Sequence, residues 1–260
     1  MEPWLEGRRA LVCGASQGLG LACAVALARR GAAVVLAARS GPALADAVAR
    51  LPPPSAGAHA AVVADLSGPD AADALAQAAL RDGPVHVLIN NNGGPAPGAA
   101  LAADPAAYAA AFAAHLLSAQ ALVQRLAPGM RRERFGRIVN ITSTSLKAPI
   151  PGLGVSNAVR GAVAQWAKTL AAELAPDGVT VNNVLPGFIA TARLRALIGS
   201  RAAGGETVDQ VEREMLASIP AGRFGDPAEI GSAVAFLCSP LAGYITGVNL
   251  PVDGGRTPGL

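Results

Sequence analysis

The run from Arg9 to Gly20, Arg-Ala-Leu-Val-Cys-Gly-Ala-Ser-Gln-Gly-Leu-Gly, constrains the fold of this chain more than any other. Ala10–Cys13 is a short apolar stretch, the pattern of a strand buried on both faces. Gly14, Gly18 and Gly20 follow it, and a helical stretch, Leu19–Arg30, follows them. A strand, a glycine turn and a helix start together form an anion site. The glycines let a phosphate approach the backbone closely, and the uncommitted N–H groups of the helix start point at it. Ser16 and Leu19 lie within the same turn. The alternative is a plain strand-to-helix loop; the flanking strand and helix favour a dinucleotide site.

Strand and helix patterns alternate along the rest of the chain. Further strands are expected at Ala33–Ala37, Ala60–Ala64, Val85–Asn90, Gly136–Ile141, Thr180–Leu185 and Ile245–Pro251. Helices are expected at Pro42–Leu51, Pro69–Arg81, Pro105–Leu126, Leu153–Ala175 and Pro227–Cys238. Short apolar strands separated by helices imply a parallel sheet covered on both faces. Right-handed crossovers then give an α/β, Rossmann-type doubly wound sheet of about seven strands. Its ligands bind at the carboxyl ends of the strands. The 260 residues fit one domain, 1–260, and Pro52-Pro53-Pro54 reads as a loop within it. Leu194 to Leu216 is helix-like but broken by Gly199, Gly204 and Gly205. It reads as a mobile substrate lid or as a surface insertion. Leu153, Leu194, Leu197 and Met215 are candidates for an apolar entrance beneath it.

Composition excludes several classes. No uninterrupted apolar run reaches the roughly 18 residues of a membrane span. Met1 to Gly7 lacks a charged-then-apolar signal pattern. Together these predict a soluble cytoplasmic protein without a membrane partner. Cys13, Cys23 and Cys238 are scattered and odd in number, so they read as core residues, and no metal site is expected. The net charge of +3 is mild. The one basic cluster, Arg131, Arg132, Arg134 and Arg137, is interrupted by Glu133 and Phe135. It reads as a solvated helix end, so no nucleic-acid partner is expected.

Charge at the second strand end selects the cofactor. An acidic residue there would hydrogen-bond the 2′-hydroxyl of NAD. The chain has Ala38-Arg39 instead, and the arginine fork suits a 2′-phosphate, so NADP(H) is expected over NAD(H); the alternative is that Arg39 is a solvated loop residue. Asp65-Leu66 ends the third strand, where it is expected to bracket the adenine. Asn90-Asn91-Asn92-Gly93-Gly94 ends the fourth. Asparagine is a poor strand former, so this run is either a turn or a set of side chains tying the sheet end to a cofactor.

The chain resembles the short-chain dehydrogenase/reductase family, and within it the 3-oxoacyl-acyl-carrier-protein reductases. The resemblance rests on the glycine turn Gly14–Gly20, Asp65-Leu66, Asn90–Gly93, Gly136–Ser143, Val181-Asn182, Pro186–Thr191 and Thr246–Gly255. It implies a nicotinamide cofactor bordered by Asn90, Asn91, Gly93, Pro186, Gly187, Ile189 and Thr191. It also implies a homotetramer or homodimer assembled through Thr246–Gly255, and a small-molecule or acyl-carrier-linked substrate. The family's active site uses asparagine, serine and a Tyr-x-x-x-Lys pair. Ser143 matches the serine. Ser156 stands where the tyrosine is expected, Arg160 where the lysine is, and His115 where the asparagine is.

Carbonyl reduction needs a hydride and a proton. A tyrosine of reference pKa about 10 is an adequate acid beside an ammonium; serine is far weaker. Serine still donates a hydrogen bond to an oxyanion, and Arg160 still supplies charge and donors without releasing a proton. His115, with a reference pKa of about 6.5, is a candidate proton carrier or a packed helix residue. Lys147 is a candidate substrate contact or a solvated loop residue. Tyr108 and Tyr244 read as structural. The resulting expectation is an NADP(H)-dependent oxidoreductase with an atypical catalytic set of Ser143, Ser156, Arg160 and His115. The alternative is a non-redox enzyme (dehydratase, isomerase or cyclase), or a nucleotide-binding subunit, on the same scaffold.

Overall fold

The computed structural model describes residues 2–68 and 70–259; Met1, Pro69 and Leu260 lie outside them, and with Pro69 the expected start of the third helix. Seven parallel strands form one sheet in the order β3-β2-β1-β4-β5-β6-β7. They are β1 Arg9–Cys13, β2 Ala33–Ala38, β3 Ala60–Val63, β4 Val87–Asn90, β5 Gly136–Ile141, β6 Val179–Pro186 and β7 Asn249–Val252. The order reverses between β1 and β4, which opens a crevice at the carboxyl ends of these two strands. The expected doubly wound sheet is therefore present.

Alternation along each strand feeds two cores. Ala10, Val12, Val34 and Leu36 point to one face, covered by α1 (Gly18–Ala28), α2 (Gly41–Ala49) and α9 (Pro227–Cys238). Leu11, Cys13, Val35 and Ala37 point to the other, covered by α3 (Ala71–Leu80), α5 (Ser118–Arg132) and α6 (Gly154–Leu174). Both faces are buried, which is why the strands read as unbroken apolar runs. The three cysteines are buried in these cores, and burial pushes the Cys13 and Cys23 thiols up to about 12.

Three local expectations change. The helix expected at 105–126 is a longer rod, 105–132, with a π-helical turn at Ala113–Leu117 between α4 (Pro105–Phe112) and α5. This rod is long and apolar enough, by length and composition alone, to cross a membrane. Here its second half packs Leu122, Leu126 and Met130 into the core. Arg137 is not solvated: it is 4% exposed on β5 and donates to the carbonyls of Gly136, Gly178 and Ser239. The helix-like insertion folds as α7 (Ala192–Ala202) and α8 (Val208–Ala217). Leu194 and Met215 do not line an open entrance; they form the buried seam between these helices with Ile198 and Val211.

Candidate functional site

The glycine turn is shaped by contact with the fourth strand's loop. Gly14 and Gly18 have φ of +59° and +58°, a region L-side chains rarely enter. A Cβ on Gly14 would strike the Asn91 carbonyl, and one on Gly20 would strike the Gly14 carbonyl. The Asn91 amide donates to the Cys13 and Gly14 carbonyls, 3.3 Å each, so Asn91 latches the turn to β4. Ser40, Asp104, Thr191, Thr207 and Asp226 cap α2, α4, α7, α8 and α9 with their side chains. No side chain caps α1. Its first N–H groups remain open behind the turn, where Ser16 and Leu19 are half-buried. A turn that a Cβ would fill, backed by an uncapped helix, fits a dinucleotide pyrophosphate.

At the adenosine end, Arg39 is exposed beyond β2. Asp65 accepts from the Ser67 N–H at 3.1 Å and the Ser67 hydroxyl at 2.8 Å. These bonds, with Arg39 adding to them, hold its carboxyl below the usual range. Leu66 packs its side chain against the core.

Asn90 does not point out as one of three equivalent loop residues. Its Nδ2 donates to Asn140 Oδ1 on β5 at 2.8 Å. Asn140 donates in turn to Asn183 on β6 at 2.9 Å, and Asn183 to Asn249 on β7 at 2.8 Å. The four residues share one register across four strands. Each amide thus satisfies its neighbour inside a sheet that offers no water.

A small cavity opens beside this ladder, lined by Asn90, Asn92, His115, Asn140, Thr142 and Arg160 among others. The π-helical turn places His115 there. Such a turn leaves a backbone carbonyl without its usual partner. Ala114 supplies that carbonyl, and it accepts from Asn92 Nδ2 and from the Ser118 hydroxyl. Burial, then Arg160 and more weakly Arg193, push the His115 imidazolium down to about 4, against a hydrogen bond to the Gly93 backbone. The ring is therefore neutral at pH 7. His59 and His86 serve structure instead, each accepting a strand N–H through Nδ1.

Arg160 reaches across from α6. Its Nη1 donates to the Ile141 carbonyl at 3.0 Å and its Nε to the Ser156 hydroxyl at 3.2 Å. Burial and the nearby Arg193 lower its pKa to about 10. Ser156 is 8% exposed. Ser143 follows β5, half-buried, and its oxygen accepts from the Ser145 N–H at 3.1 Å. Both catalytic-candidate serines therefore use their oxygen as acceptor within the protein and keep the hydroxyl proton to give. Lys147 is exposed on the loop beyond. Tyr108 packs against Ala111, Val155 and Val159, and Tyr244 is wholly exposed.

The loop after β6 closes the cleft. A Cβ on Gly187 would lie 2.7 Å from Asp253, so Pro186-Gly187 is pressed against the C-terminal segment. Ile189 is buried and pairs with Gly225. The Thr191 methyl is the nearest group facing the position of a Gly18 Cβ, 3.9 Å away, while its oxygen caps α7. Sequence reasoning missed Asn140, Asn183 and Arg193. A lone asparagine inside the apolar run Ile138–Ile141 was the available signal for the first. Among the described residues no group of histidine, cysteine or carboxylate side chains is placed to hold a metal.

Residues 14–257 match the family model described as enoyl-(acyl carrier protein) reductase. The chain is 37% identical over 253 residues to the 3-oxoacyl-[acyl-carrier-protein] reductase FabG of Vibrio cholerae, covering 96% of this chain and 98% of that protein. L-sorbose reductase from Gluconobacter frateurii, complexed with NADPH and L-sorbose, superposes with a TM-score of 0.91 at 28% identity over the full length of both chains. A 3-oxoacyl (acyl-carrier-protein) reductase from Agrobacterium tumefaciens with NADP bound superposes at 0.85 and 28% identity, covering 96% of this chain and 95% of that one. A match this long, on a parallel sheet with its glycine turn at the switch point, makes the chain an oxidoreductase of the short-chain dehydrogenase/reductase family.

Proposed function

We propose that this chain is an NADP(H)-dependent oxidoreductase acting on a carbonyl or hydroxyl substrate through Ser143, Ser156, Arg160 and His115. The observation that carries the reading is that the uncapped start of α1 and the Arg160 cavity open at one carboxyl edge of the sheet. The backbone of Gly14, Ser16, Gly18, Leu19 and Gly20 holds the pyrophosphate, and Arg39 holds the 2′-phosphate that distinguishes NADP from NAD. Asp65 and Leu66 flank the adenine. Asn90, Asn91 and Gly93 form the wall under the ribose, and Arg160 holds its hydroxyls with the Nη2 end left free by Ile141 and Ser156. Pro186, Gly187, Ile189 and Thr191 border the nicotinamide, which when bound supplies the hydride.

The protein side then presents two hydroxyl donors to the developing oxyanion. Ser143 and Ser156 both retain their protons, and the Arg160 guanidinium polarises Ser156. Neutral His115 holds a ring nitrogen available for proton relay. Such a set lacks the strong acid of a tyrosine, whose general-acid contribution is about 10²–10⁴-fold. The protein is proposed to be soluble and cytoplasmic, a homotetramer or homodimer, with residues 194–216 as lid over a small-molecule or acyl-carrier-linked substrate.

NADPH binding by fluorescence, followed by ketone reduction in wild type and in Ser156→Tyr/Arg160→Lys, tests this. The double variant should gain at least about tenfold in reductase activity. A folded wild type that binds no NADPH refutes the proposal. Product formed with no loss of NADPH absorbance moves the chain to the non-redox class.

A further inference from the structure

The charges around the cavity do not balance. Arg160 and Arg193 both act on His115, and Arg193 acts on Arg160. Two guanidinium groups thus share one end of the cleft with a neutral imidazole. The ion pairs of the described residues engage Arg8, Arg9, Arg125, Arg131, Arg134, Arg201 and Arg223, and none reaches Arg160 or Arg193. Cations gathered without a carboxylate repel one another until an anion arrives.

Arg193 is placed to receive it. It sits in the first turn of α7, two residues after Thr191. Its guanidinium bridges the cleft to the loop after β4, where Nη2 lies 2.6 Å from the position a Cβ on Gly94 would take. The charge of Arg193 falls on His115 and Arg160, beside the cavity.

We infer that Arg193 determines substrate class: it grips a carboxylate on the non-reacting arm of the substrate, so the carbonyl compounds this site takes are keto acids or their hydroxy-acid counterparts. The inference rests on the cofactor-and-carbonyl reading above. A guanidinium gives a carboxylate two parallel N–H donors, which a neutral amide cannot match. The other anion within reach of a cleft arginine is a cofactor phosphate, and the experiment separates the two.

Pyruvate and pyruvamide, and levulinate and levulinamide, offer two spacings between carbonyl and anion. Their affinities for the NADP⁺-loaded protein, which cannot reduce them, are measured by NMR titration in wild type, Arg193→Gln and Arg193→Lys. Arg193 is exposed, so these variants fold. In wild type at least one carboxylate should bind about tenfold more tightly than its amide. Arg193→Gln should abolish that preference and leave NADPH affinity within about twofold, and Arg193→Lys should retain part of it. Equal affinity for acid and amide at both spacings overturns the inference. So does a tenfold loss of NADPH affinity in Arg193→Gln with the preference intact, which assigns the arginine to the cofactor. If wild type binds no NADPH, the proposed function fails, and the same acid-against-amide comparison on the cofactor-free protein decides the inference by the same outcomes.

Discussion

Replacing Asn140 by leucine, its nearest apolar shape, interrupts the amide ladder at its most buried member, which is 1% exposed. Two groups lose their partners: Asn90 Nδ2 and Asn183 Oδ1. Those residues are 9% and 2% exposed, so water does not replace the lost bonds. Each stranded group costs about 1–3 kcal/mol, and burying the leucine side chain returns about 1.5–3 kcal/mol. The net expectation is a loss of about 2 kcal/mol. Asn183→Leu strands only Asn140 Nδ2, because Asn249 is exposed and its oxygen turns to solvent, and the buried leucine offsets that one group, so a net change near zero is expected. Asn249→Leu strands Asn183 Nδ2 while its own leucine stays exposed, so it should cost about 1–3 kcal/mol. The triple variant with leucine at 90, 140 and 183 removes donors and acceptors together and should be more stable than Asn140→Leu alone. Urea unfolding at one fixed protein concentration, without cofactor, measures all four. The reasoning is refuted if Asn183→Leu costs as much as Asn140→Leu, or if the triple variant is no more stable than Asn140→Leu.

Three other outcomes follow from the same structure. His115 and His86 both lie well below the ordinary histidine value, at about 4, with burial the main cause. The unfolded chain therefore takes up these protons first; stability is fully present above about pH 6.5 and falls as pH drops toward 4, by up to about 3 kcal/mol per histidine, as acid unfolding followed by circular dichroism will show. Gly20→Ala drives a Cβ into the Gly14 carbonyl and the Asn91 amide, so it should abolish NADPH binding by fluorescence titration and lower stability by about 2 kcal/mol or more, despite alanine's better helix propensity. Arg39→Ser should weaken NADPH about tenfold and leave NADH unchanged; equal weakening of both removes Arg39 from phosphate recognition.

The fold was legible where local chemistry alone decides it. Val34-Val35-Leu36 can only be a doubly buried strand, and Gly14, Gly18 and Gly20 state their turn directly. The crevice at the carboxyl ends of β1 and β4 was legible for the same reason. What escaped depends on register. Asn90, Asn140, Asn183 and Asn249 are joined only once four strands align, and nothing within any one strand announces the other three. The run Asn90-Asn91-Asn92 looked like one feature and is three: a ladder end, a latch on the glycine turn, and a partner for the Ala114 carbonyl. Arg193 escaped because its meeting with Gly94 joins α7 to the distant loop after β4.

The widened turn at 113–117 gives the long helix one residue more than α-helical bonding requires. Each helical residue advances by about 100°, so this spare residue sets the two halves out of phase by about that angle. The first half turns Tyr108 and Ala111 toward Val155 and Val159 of α6. The second turns Leu122, Leu126 and Met130 into the core shared with α3. A single rod thereby answers to two surfaces that no uniform helix would fit. A substitution between Ala113 and Leu117 leaves the phase untouched, whereas deleting one residue restores a regular helix and swings His115 out of the cleft.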